Sequence, residues 1–167
     1  DDFDPENPYS LSDMSNDVLA VLDTLGIEKA HIAGVSMGGM ISQTLCIEHP
    51  ERALSLTSMM STPSVDDKEL PRLNYACFAD IAINTFKYGF SDSEIDAVKM
   101  SMAIRTLLMG SDKYEFDIER LTHLTLYNLR ERNGANRQSG RQQTAAIEKS
   151  GSRNEALKTL TVPTLVI

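Results

Sequence analysis

Apolar residues at Met14, Val18, Leu19, Val21, Leu22 and Leu25 recur every three to four positions, the spacing that lines one face of a helix. Ser10 and Ser12 precede this run as two candidate N-caps, and Gly26 follows it as a candidate C-cap. The pattern then shortens to Ala30–Val35, whose length and flanking turn residues suit a buried strand of a parallel sheet. Between Met37 and Glu48 the residues Met40, Ile41, Thr44, Leu45 and Ile47 return to helical spacing, and Pro50 stops them. Ala53–Met59 reads as a second strand that runs into a turn at Ser61, Thr62 and Pro63. Strand, helix, strand in this order is the parallel crossover unit, so the expected class is α/β.

Beyond Pro63 the chain keeps helical periodicity to about residue 150 with no convincing strand, a long interruption for an alternating fold. Ser91, Asp92, Ser93 and Glu94 predict a capped helix start ahead of Ile95, Val98, Met102 and Leu107, and a further helix is expected from about Tyr114 to Arg132. Gly134, Gly140 and Gly151 punctuate the remainder of the chain. Ser152 with Glu155 offers another capping box, and Val162–Ile167 reads as a strand whose early Pro163 is tolerated at a strand start. The expected organisation is a parallel-sheet core at 1–63, a helical cap at 64–150 and a return to the core at 151–167.

Composition narrows the partners. Of 167 residues, 41% are hydrophobic and 24% charged, which suits one globular domain with a sizeable core. A net charge of -8 and a pI near 4.8 oppose binding to nucleic acid or an anionic membrane. The acid excess sits partly in Asp1, Asp2, Asp4 and Glu6, while the basic stretch Arg130, Arg132, Arg137 and Arg141 is broken by Glu131 and reads as solvated surface. Cys46 and Cys77 lie in apolar, helix-like contexts, which favours two reduced thiols and a cytoplasmic protein over a disulfide framework. Neither a run of eighteen apolar residues nor a secretory signal is visible.

Chemistry concentrates at Gly34-Val35-Ser36-Met37-Gly38-Gly39, a G-x-S-x-G motif between a predicted strand and a predicted helix. A serine at such a turn projects its hydroxyl from the sheet, and the backbone needs neighbours without bulk, a demand Gly34 and Gly38 meet. The helix start would aim its free N–H groups at Ser36, so the Met37 N–H is the expected oxyanion donor. A phosphate cradle is disfavoured, because no Lys follows the glycines and the spacing is not G-x-G-x-x-G. Serine attack requires neither metal nor cofactor, only a base and an orienting acid. His31 lies in the strand before the turn, His49 at the far end of the helix after it, and His123 in the insertion, so none is placed as the base. Asp66 and Asp67 are remote candidates for the acid, although with Lys68 and Glu69 they read as a solvated start to the insertion.

Asp17-Val18-Leu19-Ala20-Val21-Leu22-Asp23, Leu25-Gly26-Ile27 and His31 to Gly39, continued by His49-Pro50-Glu51-Arg52, resemble the central part of the α/β-hydrolase fold family. Leu157–Ile167 is similar to the family's strand that leads to the loop carrying the catalytic acid. Around Ser36, and from Gly140-Arg141-Gln142 to Ala145-Ala146-Ile147, the chain resembles the esterase branch that includes aclacinomycin methylesterases. The resemblance implies an α/β-hydrolase with a helical cap, acting on a small-molecule carboxylic ester through a serine acyl-enzyme at Ser36, with no cofactor. It also implies that early strands, one oxyanion donor, the acid and the histidine lie outside Asp1–Ile167, so this chain is expected to be a catalytically incomplete fragment. Met37, Met59 and Met60 are expected either to line an apolar pocket or to fill the core. Proline iminopeptidase, carbon–carbon hydrolase and perhydrolase chemistry are alternatives on the same fold, with Glu115, Asp117 and Glu119 as candidate amine binders or plain surface acids. A non-catalytic binding protein is the alternative of a different class.

Overall fold

The computed structural model describes residues 9–67, 75–109, 115, 117–132, 134 and 137–167. The elements are α1 (Leu11–Thr24), β1 (Ala30–Val35), α2 (Met37–Glu48), a short 3-10 turn (Pro50–Arg52), β2 (Ala53–Met59), α3 (Tyr75–Tyr88), α4 (Glu94–Leu108), α5 (Ile118–Glu131), α6 (Arg137–Lys149), α7 (Asn154–Lys158) and β3 (Thr164–Val166). They fall into two compact units, residues 1–70 with 137–167, and residues 71–136.

In the first unit Ser10 is the cap of α1. Its Oγ accepts the Asp13 N–H at 3.1 Å, while its own N–H donates to Asp13 Oδ2 at 2.9 Å. Hydrogen bonds from the Ser10 hydroxyl and N–H hold the Asp13 carboxyl below its usual range. Ser12, the other candidate, instead donates to Glu48 Oε2 at 2.8 Å and ties α1 to the end of α2. The helix ends at Leu25, with Gly26 following at φ +68°.

β1, β2 and β3 form a parallel sheet in that order. Ile32 pairs with Leu56, and both turn inward onto Leu19, Leu22, Leu45, Cys46 and Ala53, the buried core of the unit. The register shifts between Ala30 and His31, which pair with Ala53 and Ser55, so Leu54 is left outside the ladder and stands exposed. The apolar face of α1 and the apolar length of α2 therefore cover one side of the sheet, as their periodicity requires. Burial pushes the Cys46 thiol up to about 11 and keeps it neutral, as expected of a reduced core cysteine. The side chain of Cys77 lies outside the described residues, as do Asp1–Pro8 and the proposed helix start at Tyr114.

The second unit contains α3, α4 and α5, with α3 packed on α4 and α4 on α5. Arg130 binds Glu94 with two bonds of 2.7 Å, and Arg132 stands 5.9 Å from the Tyr127 ring, which engages half of the basic stretch seen in the sequence. Asp117 caps α5 by accepting the Arg120 N–H at 2.8 Å.

The compact units divide at 70/71 and 136/137, which groups α6, with its buried Ala146, with the sheet unit. Several expectations change. Gly140 lies inside α6 and does not interrupt it. Ser93 is the N-cap of α4 but makes no capping bond with its side chain. The Ser152–Glu155 box does not form, since Arg153 takes the N-cap position of α7. Among the described residues no helix is long and apolar enough to cross a membrane.

Candidate active site

Ser36 occupies the single residue between β1 and α2, at φ +53° and ψ -121°. This combination costs a residue with a side chain about 1–3 kcal/mol and persists only where surrounding contacts enforce it. The enforcing contacts are visible. The Ser36 N–H donates to the Met59 carbonyl at 2.9 Å, and the Ser36 carbonyl accepts the N–H groups of Gly39 at 2.9 Å and Met40 at 3.2 Å. Its side chain is exposed and makes no capping bond to the helix, which leaves the hydroxyl available.

The turn closes only because β1 and α2 come very near each other. A Cβ on Gly34 would lie 2.1 Å from the Gly38 carbonyl oxygen and 2.5 Å from Ser42 Oγ, so no side chain fits there. Gly38 differs from its expected role, since a Cβ placed on it meets nothing within 4 Å. The second tight position is Gly39, where a Cβ would stand 2.5 Å from Ser61 Cβ. Met37 is the first residue of α2, so its N–H is one of those a helix leaves without an intrahelical acceptor, at the positive end of the helix dipole.

Neither histidine of the sheet unit comes near Ser36. His31 is exposed on β1 with Nδ1 2.7 Å from Ser55 Oγ, and five residues of strand put it roughly 16 Å before Ser36. His49 caps the opposite end of α2, about 18 Å along the helix from Ser36, with Nδ1 3.5 Å from Glu51. His123 belongs to α5 in the second unit. Asp67 accepts a hydrogen bond from the Asn154 amide, and the Asp66 N–H donates to Ser64 Oγ at 3.3 Å, so both join the loop after β2. Asp117 is a helix cap and Glu119 sits in the first turn of α5. No group of three or more His, Cys, Asp or Glu among the described residues is arranged to hold a metal.

Sequence reasoning missed a buried polar chain behind the turn. Arg153 is only 8% exposed. Its Nε donates to Gln43 Oε1 at 3.2 Å, its Nη2 to the Thr62 carbonyl at 3.1 Å and its backbone N–H to the Pro63 carbonyl at 2.9 Å. Gln43 in turn donates to Ser58 Oγ at 3.0 Å. Burial lowers the pKa of the guanidinium from its ordinary value. The available signals were a Gln in an apolar helix and a Ser at an inward strand position. A cleft of about 260 Å³ bordered by Ser12, Glu48, Lys149 and Arg153 lies at the other end of α2 and does not include Ser36.

The family model described as alpha/beta hydrolase fold matches residues 2–167. Rhodomycin D methylesterase DauP of Streptomyces sp. (strain C5) is 43% identical over 54 residues, which cover 32% of this chain and 18% of that protein. The pimeloyl-[acyl-carrier protein] methyl ester esterase of Aeromonas hydrophila is 29% identical over 118 residues, 71% of this chain and 42% of that protein. Among solved structures, a hydrolase from Pseudomonas aeruginosa PA01 superposes with a TM-score of 0.60 at 22% identity, covering 96% of this chain and 54% of its own. The enol-lactonase from Burkholderia xenovorans LB400 gives 0.55 at 18% identity, over 99% and 55%. The chain thus spans about half the length of these solved structures and less of the curated relatives it matches.

Proposed function

Because the chain belongs to the α/β-hydrolase fold family, we propose that Ser36 is the nucleophile of a hydrolase that cleaves carboxylic esters through an acyl-enzyme. The observation that carries this reading is the strained backbone of Ser36 between β1 and α2, with its hydroxyl free of the helix cap. Attack by Ser36 Oγ on an ester carbonyl would form a tetrahedral oxyanion above the helix start, where the Met37 N–H is the proposed donor. Loss of the alcohol would leave the acyl group on Ser36, and water would release it as a carboxylic acid. Methyl ester cleavage by two of the relatives supports an ester as the scissile bond.

The proton of Ser36 needs a base, and neither His31 nor His49 reaches it. We place the base and its orienting acid outside residues 1–167, a reading supported by the greater length of the relatives. The second unit is proposed as a cap, and the buried, reduced thiol of Cys46 is consistent with a reducing compartment such as the cytoplasm.

The test is labelling of the chain with a fluorophosphonate, with imidazole added as a diffusible base. Mass spectrometry is expected to find one adduct, on Ser36, that forms faster with imidazole and is absent from Ser36→Ala. An adduct elsewhere, or none, would remove Ser36 as nucleophile.

A further inference from the structure

Met60, at the end of β2, repeats the backbone feature of Ser36. It holds φ +44°, and these two are the non-glycine residues with positive φ among the described residues. The conformation disfavours any residue with a Cβ, and Asn or Gly would hold it with less strain. Two bonds fix it in place: the Met60 N–H donates to the Ile167 carbonyl at 2.8 Å, and the preceding Met59 carbonyl accepts the Ser36 N–H at 2.9 Å. On its other side Ser61 is packed against Gly39 in the first turn of α2. Met60 is therefore held beside Ser36 with 58% of its surface exposed, whereas Met40 on the inner side of α2 is a core residue at 6%. Nothing in the core explains a large apolar side chain at a strained, exposed position. Strain of this kind gathers where a ligand is held. The residues that flank Ser36 and Met60 in the chain and the sheet, Val35, Met37, Met59 and Ile167, are apolar, and Ser36 and Ser61 beside them are uncharged, a composition that suits an alkyl chain.

We infer that Met60 determines specificity, forming with Met37 and Met59 an apolar subsite for the alkyl chain of an ester whose carbonyl lies at Ser36. The inference rests on Ser36 being the nucleophile. An unbranched thioether adapts to chains of different shape, which would make the subsite tolerant of length and intolerant of charge.

The test uses the whole chain labelled with 13C at its methionine methyl groups and titrated with 2-octanone, which keeps the carbonyl and alkyl chain of an ester without a bond to hydrolyse. The Met60 signal, assigned by its loss in Met60→Leu, is expected to shift saturably, while Met40 and the methionines of α4 stay still. Read at Met37, Met60→Asn should weaken the ketone about tenfold, and Met60→Leu should stay within about threefold of the parent. Because Asn tolerates positive φ, the urea midpoint of Met60→Asn should be unchanged or higher. A Met60 shift no larger than those of α4, unchanged affinity in Met60→Asn, or a lowered urea midpoint in that variant would overturn the inference. Ketone binding at Met60 without fluorophosphonate labelling of Ser36 would remove the nucleophile reading alone; labelling with a silent Met60 would remove the subsite alone.

Discussion

At the end of β1, the two glycines of the G-x-S-x-G motif are equivalent in the sequence and different in the structure. Gly34 faces the Gly38 carbonyl so closely that a Cβ would lie 2.1 Å from it, and backbone cannot rotate away as a side chain can. Gly34→Ala should therefore destabilise the fold by about 3 kcal/mol in urea unfolding. Gly38 has open space and a helical position, so Gly38→Ala should be neutral or stabilising by up to about 1 kcal/mol in the same measurement. The motif was legible because strain and close approach restrict residue type locally. Which glycine is indispensable was not, because that depends on what α2 packs against.

Among elements, α1, β1, α2 and β2 lie where the apolar pattern put them, with β1, α2 and β2 at the same bounds, since in each the local period and the buried face agree. Helix α6 was legible only as part of a long helical stretch, because its sequence is largely polar and, among its described side chains, Ala146 is the buried one. The joint between α7, α2 and the loop after β2 rests on Arg153. Replacing it by Met would leave the Gln43 and Thr62 acceptors buried without their donor and should cost about 2 kcal/mol. Between α4 and α5, hydrogen bonding to Arg130 holds the Glu94 carboxyl below its usual 4.5. A depressed carboxylate contributes stability above pH 4.5 and loses it as pH falls through its lowered value. Glu94→Gln should accordingly weaken the acid dependence of α4–α5 unfolding below pH 4.5, followed by far-UV circular dichroism in urea, with little effect of salt-screened charge at pH 7.

For the whole molecule, β1 and β3 are the outer strands of the described sheet, and Leu165 and Val166 on β3 stand exposed, as does Ile167 directly after it. Unpaired strand groups beside apolar side chains recruit further strands. The 167-residue chain should self-associate with rising concentration in static light scattering, and Val166→Lys should reduce that association without lowering the urea midpoint. The sequence by itself determined the α/β class, the strand–serine–helix turn and the family, because each is written in residues within a short stretch of one another. Only the tertiary structure decided that Gly39 meets Ser61, that Arg153 reaches Gln43 across 110 positions of chain, and that Met60 stands strained beside Ser36. Those relations arise from the packing of segments distant in sequence, which local periodicity and propensity do not encode.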